Sequence, residues 1–235
     1  MTKLLVSDYD LTLYINDFIM QHNIKKIIQL RKEGHKFAIA TARSHQWIMK
    51  KIKYYQIPYD YLSCFNGGVL FDNQNNVLFS SNISDHNKNL IENITNDFKM
   101  VKNIEPLIIN DQNKNITIEY ILNFYLTKLN DREQLQDLKN YLKSISSINH
   151  SGRLIKYIYN EGNDKANTVS MMKQDCQACE VYTIGDYLND QRMIGEYNGY
   201  SMPWSHPKIK KLSVGSCLSV GSLANQIING KANIR

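Results

Sequence analysis

Short apolar runs alternate with segments of helical period at both ends of this chain. Residues 3–7, KLLVS, and residues 36–40, KFAIA, are continuous apolar runs of strand length. Between them Phe18, Ile24, Ile27 and Ile28 recur with helical spacing, and Gly34 is well suited to end a helix. Strand, helix and strand in this order predict a parallel sheet with helices on its faces.

The same alternation continues and later returns. A helix is predicted from about Ser44 to Tyr55, and the strand YLSCF follows it at residues 61–65. From about Asn167 onward, strands are predicted at EVYTIGD, near Tyr200 and at SCLSV, residues 216–220, with helices between and after them. These segments extend the same parallel sheet.

Between the two stretches the pattern is that of antiparallel strands. Two short strands around an Asn-rich turn are predicted for VLFDNQNNVLF, and a later strand is predicted for RLIKYIYN. Further strands and two helices are predicted between them. We therefore predict an α/β fold: a doubly wound parallel, Rossmann-like core, residues 1–68 and 165–235, with an inserted α+β domain, residues 69–164.

Composition narrows the class of protein. The chain has 235 residues, 43% of them hydrophobic, and no run of about 18 apolar residues, so we expect a globular protein outside the membrane. The apolar start is too short for a signal peptide, and the four cysteines form no disulfide framework, which predicts a cytoplasmic location. The net charge of +6 comes from dispersed lysines, which favours a small anionic partner over nucleic acid. The oligomeric state stays open.

Polar residues collect where the predicted parallel strands end. Ligands of such sheets bind beyond the carboxyl ends of the strands. The residues at these ends are Asp8, Asp10, Thr12, Thr41, Arg43, Asn66, Gly67, Gly185, Asp186, Asn189 and Asp190. Four of them are carboxylates that would repel one another, and a hard divalent cation with oxygen ligands, above all Mg²⁺, would offset the repulsion.

Each of these motifs alone has an ordinary structural interpretation. An Asp-x-Asp pair such as Asp8 and Asp10 is common in solvated turns, and the aspartates of GDYLND could cap a helix. Their joint occurrence at successive strand ends favours a functional site.

Four ordered motifs, DYDLT, TAR, Lys165 and GDYLND, resemble those of the haloacid dehalogenase superfamily, specifically its Cof-like phosphatases with a large inserted cap domain of type IIB. FNGG resembles the junction where that cap begins, and LIKYIYNEGNDKANTVSMM resembles its exit, so the resemblance covers essentially the whole chain. It implies a Mg²⁺-dependent phosphatase acting on a small phosphorylated metabolite, such as a sugar phosphate.

The resemblance also implies residue roles. Asp8 would be the nucleophile that forms an aspartyl-phosphate, and Asp10 would be the general acid and then the general base. The residues implied to bind the phosphate are Thr41, Lys165, Asn66 and Arg43. The residues implied to hold Mg²⁺ are Asp8, Asp186, Asn189 and, through its backbone carbonyl, Asp10. The supporting residues are Thr12, Gly185 and Asp190.

The chain departs from the family pattern at GYSMPWS, residues 199–205. Relatives commonly show Gly-x-Ala-Met-x-Asn-Ala there, whereas Pro203 and Trp204 surround the place of the Asn in this chain. This change puts one phosphate or substrate contact of the relatives in question. Many relatives also carry glycine where this chain has Leu11, Ala42 and Ala166, but none of these three replacements removes a reacting group.

Two other functions stay open. A phosphotransferase or phosphomutase of the same superfamily would need the same site residues. A non-catalytic phosphate-binding module would be expected to lack the nucleophile or the acid, but Asp8 and Asp10 are both present. Dehalogenase chemistry is disfavoured because it needs neither the metal cluster nor Asp10.

Overall fold

The computed structural model describes residues 1–111, 114–124, 132–145, 148–151 and 157–235. They form two compact units. The core unit comprises Met1–Leu78 and Asp164–Arg235, and the cap unit comprises Phe79–Asn163.

The described strands are β1 (Lys3–Ser7), β2 (Lys36–Ala40), β3 (Tyr61–Cys64), β4 (Val69–Asp72), β5 (Val77–Ser80), β6 (Val101–Asp111), β7 (Lys114–Phe124), β8 (Ile148–Ser151), β9 (Tyr157–Asn160), β10 (Glu180–Gly185), β11 (Asn198–Ser201) and β12 (Gly215–Ser216). The described α-helices are α1 (Asp17–Lys32), α2 (His45–Tyr55), α3 (Asp85–Glu92), α4 (Ile94–Asp97), α5 (Arg132–Ser144), α6 (Lys165–Asp175), α7 (Gln191–Glu196), α8 (Pro207–Leu212) and α9 (Val220–Ile228).

An eight-stranded sheet forms the centre of the core unit, in the order β12-β11-β10-β1-β2-β3-β4-β5. The pairs from β12 to β3 are parallel, and β4 is antiparallel to β3. Leu4, Leu5 and Val6 of β1 are at most 1% exposed, because a central parallel strand is covered on both faces. The predicted α/β fold class, a doubly wound parallel core with an inserted α+β domain, is confirmed.

The structure divides the chain later than the sequence placed the first boundary. The pattern assigned VLFDNQNNVLF to the inserted domain, whereas β4 pairs with β3 and continues the core sheet. The cap unit begins only at Phe79. Two neighbouring apolar strands around a polar turn look alike in either domain, so the sequence pattern does not show which sheet they join.

The last predicted strand is also corrected. β12 ends at Ser216, and Val220, which the pattern placed in the strand, begins α9. The hydroxyl of Ser219 accepts a bond from the backbone N–H of Ser222 at 3.1 Å and so caps this helix. The segment from Ser219 onward therefore belongs to the helix and not to the strand.

The cap unit contains a four-stranded antiparallel sheet in the order β6-β7-β9-β8. Its core consists of Ile83, Ile91, Ile94, Met100, Val101, Tyr120, Leu122, Leu138, Leu142, Ile145, Ile148 and Ile158. The first four residues of the predicted strand RLIKYIYN lie outside the described residues.

Among the described residues, no helix combines the length and the apolar character that crossing a membrane requires.

A buried asparagine joins three parts of the core unit. Asn23 of α1 is 0% exposed. Its side-chain amide donates to the carbonyl of Leu13 at 2.8 Å, and its oxygen accepts from the N–H of Gly221 at 2.7 Å. Asn23 thus ties the loop after β1 to the start of α9.

We expect Asn23→Leu to lower the free energy of unfolding by about 2–4 kcal/mol, because it leaves a buried carbonyl and a buried N–H without partners. Urea denaturation measures the change. Gln21→Leu, at an exposed position of the same helix, is the matched control and should change stability little. A similar loss in both variants would contradict this interpretation.

Candidate active site

The loops that follow the central parallel strands meet at one edge of the core sheet. Ser7 of β1 is in register with Ile184 of β10 on one side and with Ile39 of β2 on the other. Asp8 also donates its backbone N–H to the carbonyl of Ile184 at 3.0 Å. The loops after β1, β2, β3 and β10 therefore converge, because parallel strands present their carboxyl ends together.

A buried lysine bridges two carboxylates at this edge. The ammonium of Lys165 donates to Asp8 Oδ1 at 2.6 Å and to Asp190 Oδ1 at 2.7 Å. Lys165 and Asp190 are 0% exposed and Asp8 is 6% exposed. Such short, charge-assisted bonds offset part of the desolvation of the three charges.

The local sequence fixes where Lys165 begins its helix. Asp164 caps α6 by accepting the N–H of Ala166 at 2.7 Å. Gly67, with φ +95°, packs so closely that a Cβ there would lie 2.3 Å from the carbonyl oxygen of Asp164. The loop after β3 therefore requires a glycine next to the start of α6.

Asp190 has both carboxylate oxygens engaged. Its Oδ2 accepts the backbone N–H groups of Asp186 at 3.0 Å and Tyr187 at 3.1 Å, while Oδ1 binds Lys165. A Cβ at Gly185 would lie 2.5 Å from Oδ2, so this fold of the loop depends on glycine. Asp190 orients Lys165 and the loop that carries Asp186.

Three carboxylates form the candidate metal centre. Oxygen atoms of Asp8, Asp186 and Asp190 lie within 4.8 Å of one another. Because Asp190 is engaged with Lys165 and the backbone, Asp8 and Asp186 are the better ligands. Thr12, fully buried, donates to Asp186 Oδ1 at 3.3 Å and orients it. An all-oxygen, carboxylate-rich set fits Mg²⁺.

Burial and mutual repulsion perturb these carboxyl groups. Burial raises the pKa of Asp8 to about 7; Lys165 opposes this rise, and the negative charges of Asp190 and Asp186 add to it. Burial, together with Asp190, raises the pKa of Asp186 to about 6. Burial lowers the pKa of Lys165, but the carboxylates of Asp190 and Asp8 outweigh it and the net shift is upward. Lys165 therefore stays charged.

Asp10 lies at the more open side of the site. Its two carboxylate oxygens accept from Arg43 Nε at 2.9 Å and from a terminal guanidinium nitrogen at 3.0 Å. The guanidinium also lies over the ring of Trp47, 4.5 Å from its centroid. The side chains of Asp10 and Arg43 are 44% and 47% exposed, so solvent reaches this pair.

The structure also brings Thr41, Asn66 and Asn189 to this edge. The buried hydroxyl of Thr41 accepts the backbone N–H of Arg43 at 3.1 Å, and the carbonyl of Thr41 accepts the N–H of Asn66 at 3.0 Å. Asn189 donates to the side-chain oxygen of Asn66 at 3.3 Å. These bonds tie together the loops after β2, β3 and β10.

One contact at the site was not expected from the sequence. The indole N–H of Trp204 donates to the backbone carbonyl of Leu11 at 2.9 Å. The sequence showed Trp204 only as a departure from the family pattern. No spacing rule indicates that an indole from a distant loop bonds a particular carbonyl.

A family model matches nearly the whole chain. The model of haloacid dehalogenase-like hydrolases matches residues 5–109 and 84–217. This chain belongs to that family. The family predicted from the four motifs is therefore confirmed. A search of curated proteins found no match to the sequence.

Solved structures share the fold at low sequence identity. A haloacid dehalogenase-like hydrolase from Bacteroides thetaiotaomicron is 17% identical, with a TM-score of 0.75 over 97% of this chain and 99% of that chain. A HAD/COF-like hydrolase from Plasmodium vivax is 16% identical, with a TM-score of 0.72 over 97% and 96%. The HAD subclass IIB sugar phosphatase BT4131 is 15% identical, with a TM-score of 0.70 over 98% and 100%.

We expect Lys165→Met to lower the free energy of unfolding of the metal-free protein by about 3–5 kcal/mol, because it leaves two buried carboxylates without their cation. The loss should be larger at pH 8 than at pH 5. Lys165 lowers the pKa of Asp8, so its removal raises that pKa further above the unfolded value. A carboxyl group whose pKa is raised in the folded state favours folding at low pH, and this stability is lost as pH rises through the folded pKa. At pH 5 Asp8 is protonated in the folded state with or without Lys165, whereas at pH 8 its ionisation costs more stability when Lys165 is absent.

Urea denaturation in the presence of a chelator at both pH values measures this effect. Lys173→Met, at an exposed position of α6, is the matched control. A loss from Lys165→Met that does not change with pH would argue against charge as its cause.

Proposed function

We propose that this chain is a Mg²⁺-dependent phosphatase that hydrolyses the phosphomonoester of a small metabolite through an aspartyl-phosphate on Asp8. The observation that carries the proposal is the contact of buried Asp8 with Lys165 beside Asp186, with Asp10 two residues further along the same loop. A nucleophile, a cation, a metal-ligating carboxylate and an acid are the groups that phosphoryl transfer to a carboxylate needs.

In the first step Asp8 attacks phosphorus and the bond from phosphorus to the ester oxygen breaks. Among the described contacts, Asp8 uses Oδ1 for Lys165, which leaves Oδ2 for attack or for the metal. Asp10 gives a proton to the departing oxygen and later takes one from the water that attacks the aspartyl-phosphate. The bond from phosphorus to Asp8 then breaks, which releases inorganic phosphate and regenerates the carboxylate of Asp8.

Lys165 and Thr41 would bind the phosphoryl oxygens. The described contacts use two of the three N–H groups of Lys165, so one can donate to the substrate. The hydroxyl of Thr41 accepts from Arg43, and its own hydrogen can point to the phosphate. Both donors would stabilise negative charge that spreads over the phosphoryl group in the transition state.

Arg43 would exchange partners when substrate binds. Its bidentate pair with Asp10 occupies both carboxylate oxygens, one of which the general acid needs for its proton. A phosphate group offers Arg43 the same bidentate geometry with more negative charge. Asn66, joined to Asn189, would complete the phosphate-binding side of the site.

Asp8, Asp186 and the backbone carbonyl of Asp10 would hold Mg²⁺, with Asn189 ordering its water ligands. Bound there, Mg²⁺ would neutralise charge on the phosphoryl oxygens and lower the repulsion between substrate and nucleophile. Thr12 and Asp190 would keep Asp186 and Lys165 in place, and Gly185 gives Asp190 the space to do so.

The sugar phosphatase BT4131, which shares this fold, supports a sugar phosphate as the substrate. The thiols of all four cysteines are free, which agrees with the reducing cytoplasm that we propose as its location.

We expect the protein to release inorganic phosphate from a panel of sugar phosphates and from p-nitrophenyl phosphate when Mg²⁺ is present, without an added acceptor. Asp8→Asn should abolish the activity, and Asp10→Asn should lower kcat/KM for sugar phosphates by about 10²–10⁴-fold. A colorimetric phosphate assay measures both changes.

Phosphate release only when a second hydroxyl compound is added would instead indicate a phosphotransferase. A folded wild-type protein that releases no phosphate from any ester would exclude the proposed function for these substrates. Asp97→Asn, at an exposed position of the cap unit, should retain full activity.

Mg²⁺ at about one hundred times its dissociation constant should raise the thermal midpoint of the core unit by roughly 5–10 °C. Asp186→Asn should remove most of this response, whereas Asp97→Asn should retain it. Differential scanning calorimetry with and without a chelator measures the shift. An equal response in wild type and Asp186→Asn would place the metal elsewhere.

A further inference from the structure

Leu11, the residue after Asp10, adopts a backbone conformation that its side chain disfavours. Its φ is +58°, in the left-handed region, and its side chain is 58% exposed. The left-handed conformation is energetically unfavourable for a residue with a Cβ, whereas glycine adopts it without this cost. An exposed leucine has little packing to compensate, so other bonds must hold the loop.

Trp204, in the loop after β11, supplies such a bond. Its indole N–H donates to the carbonyl of Leu11 at 2.9 Å, although Trp204 as a residue is 47% exposed. The acceptor is the carbonyl of the strained residue itself, which directly follows Asp10 in the chain. It therefore acts on the part of the loop that carries the acid.

The loop that carries Trp204 is itself anchored firmly. Buried Ser205 accepts the N–H of Met202 at 2.8 Å and donates to the carbonyl of Gly185 at 3.1 Å. The N–H of His206 donates to the carbonyl of Asp186 at 2.9 Å. Trp204 thus extends from a segment fixed to the loop of Asp186.

The side chain of Asp8 is held from outside this loop, by buried Lys165, and its backbone N–H donates to Ile184. The carbonyl of Asp8 also accepts the N–H of Leu13, which closes the loop behind Leu11. A loosened Leu11 would therefore shift Asp10, whose side chain is held by the exposed Arg43, more than the carboxylate of Asp8.

We propose that Trp204 is a positioning residue that holds the loop of the general acid Asp10 against the loop of Asp186. This inference rests on the proposed phosphatase function. In this chain an indole donor compensates for a leucine at a position where glycine would adopt the left-handed conformation without strain.

The test uses two leaving groups. An alkoxide leaves only with a proton from Asp10, whereas p-nitrophenolate leaves with little assistance. Because kcat/KM covers the steps up to release of the leaving group, a misplaced acid lowers it selectively for the alkyl ester. Loss of general structure would lower it for both esters.

We expect Trp204→Phe, which keeps an aromatic ring but lacks the N–H donor, to lower kcat/KM for the most active sugar phosphate about 10-fold at saturating Mg²⁺. For p-nitrophenyl phosphate it should stay within about 2-fold of wild type. Asp10→Asn should show the same selectivity with a larger loss. Circular dichroism checks the fold, and Trp204→Leu, a second variant without the donor, should reproduce the pattern.

A second experiment compares the effect of Trp204→Phe in the wild-type protein and in the Leu11→Gly variant. Because glycine adopts the left-handed conformation without strain, Trp204→Phe in the Leu11→Gly background should lower kcat/KM for the sugar phosphate by less than about 3-fold. Equal losses on the two esters, or an undiminished loss in that background, would overturn the proposal. An inactive wild type would overturn the phosphatase function together with it, so the two failures are distinct.

Discussion

The ammonium of Lys165, buried between Asp8 and Asp190, is the interaction on which the rest of the site depends. Two carboxylates without solvent cannot both stay ionised next to each other unless a cation joins them. The backbone of Lys165 must also be held in place, and Asp164 does this by capping the start of α6. It also needs closely packed loops: Gly67 lets the backbone of Asp164 approach, and Gly185 leaves room for the side chain of Asp190, where a Cβ would prevent both.

The other carboxylates of the site are held less tightly the further they lie from Lys165. Asp190 has both oxygens bonded, Asp186 is held by one hydroxyl, and Asp10 is held by a solvent-exposed arginine. Exposed ion pairs contribute little stability, so the Asp10 side chain can exchange partners at small cost. This gradient suits the proposed reaction: the nucleophile stays fixed while the acid must gain and lose a proton.

Much of this arrangement could be predicted from the sequence, because strand ends are readable as apolar runs followed by polar residues. Asp8, Thr41, Asn66 and Asp186 were assigned to one edge for this reason, and the structure brings them together there. The face of a helix was less predictable: Phe18 matched the apolar spacing of α1 but is 82% exposed, while polar Asn23 is buried because it satisfies two backbone groups. The partner sheet of β4 and the bond from Trp204 to Leu11 depend on long-range packing, which no local pattern encodes.

Charge balance in the proposed site sets an order of events. Asp8, Asp10, Asp186 and Asp190 carry four negative charges when ionised, and Lys165 and Arg43 carry two positive ones. A divalent cation brings the total to neutrality, but a phosphate dianion would then again leave the site negative. In the proposed reaction Arg43 turns from Asp10 to the phosphate, and the carboxylate oxygens of Asp10 that it leaves then face the leaving group. One exchange of partners would thus both bind the phosphate and open the acid, which places substrate binding before proton transfer.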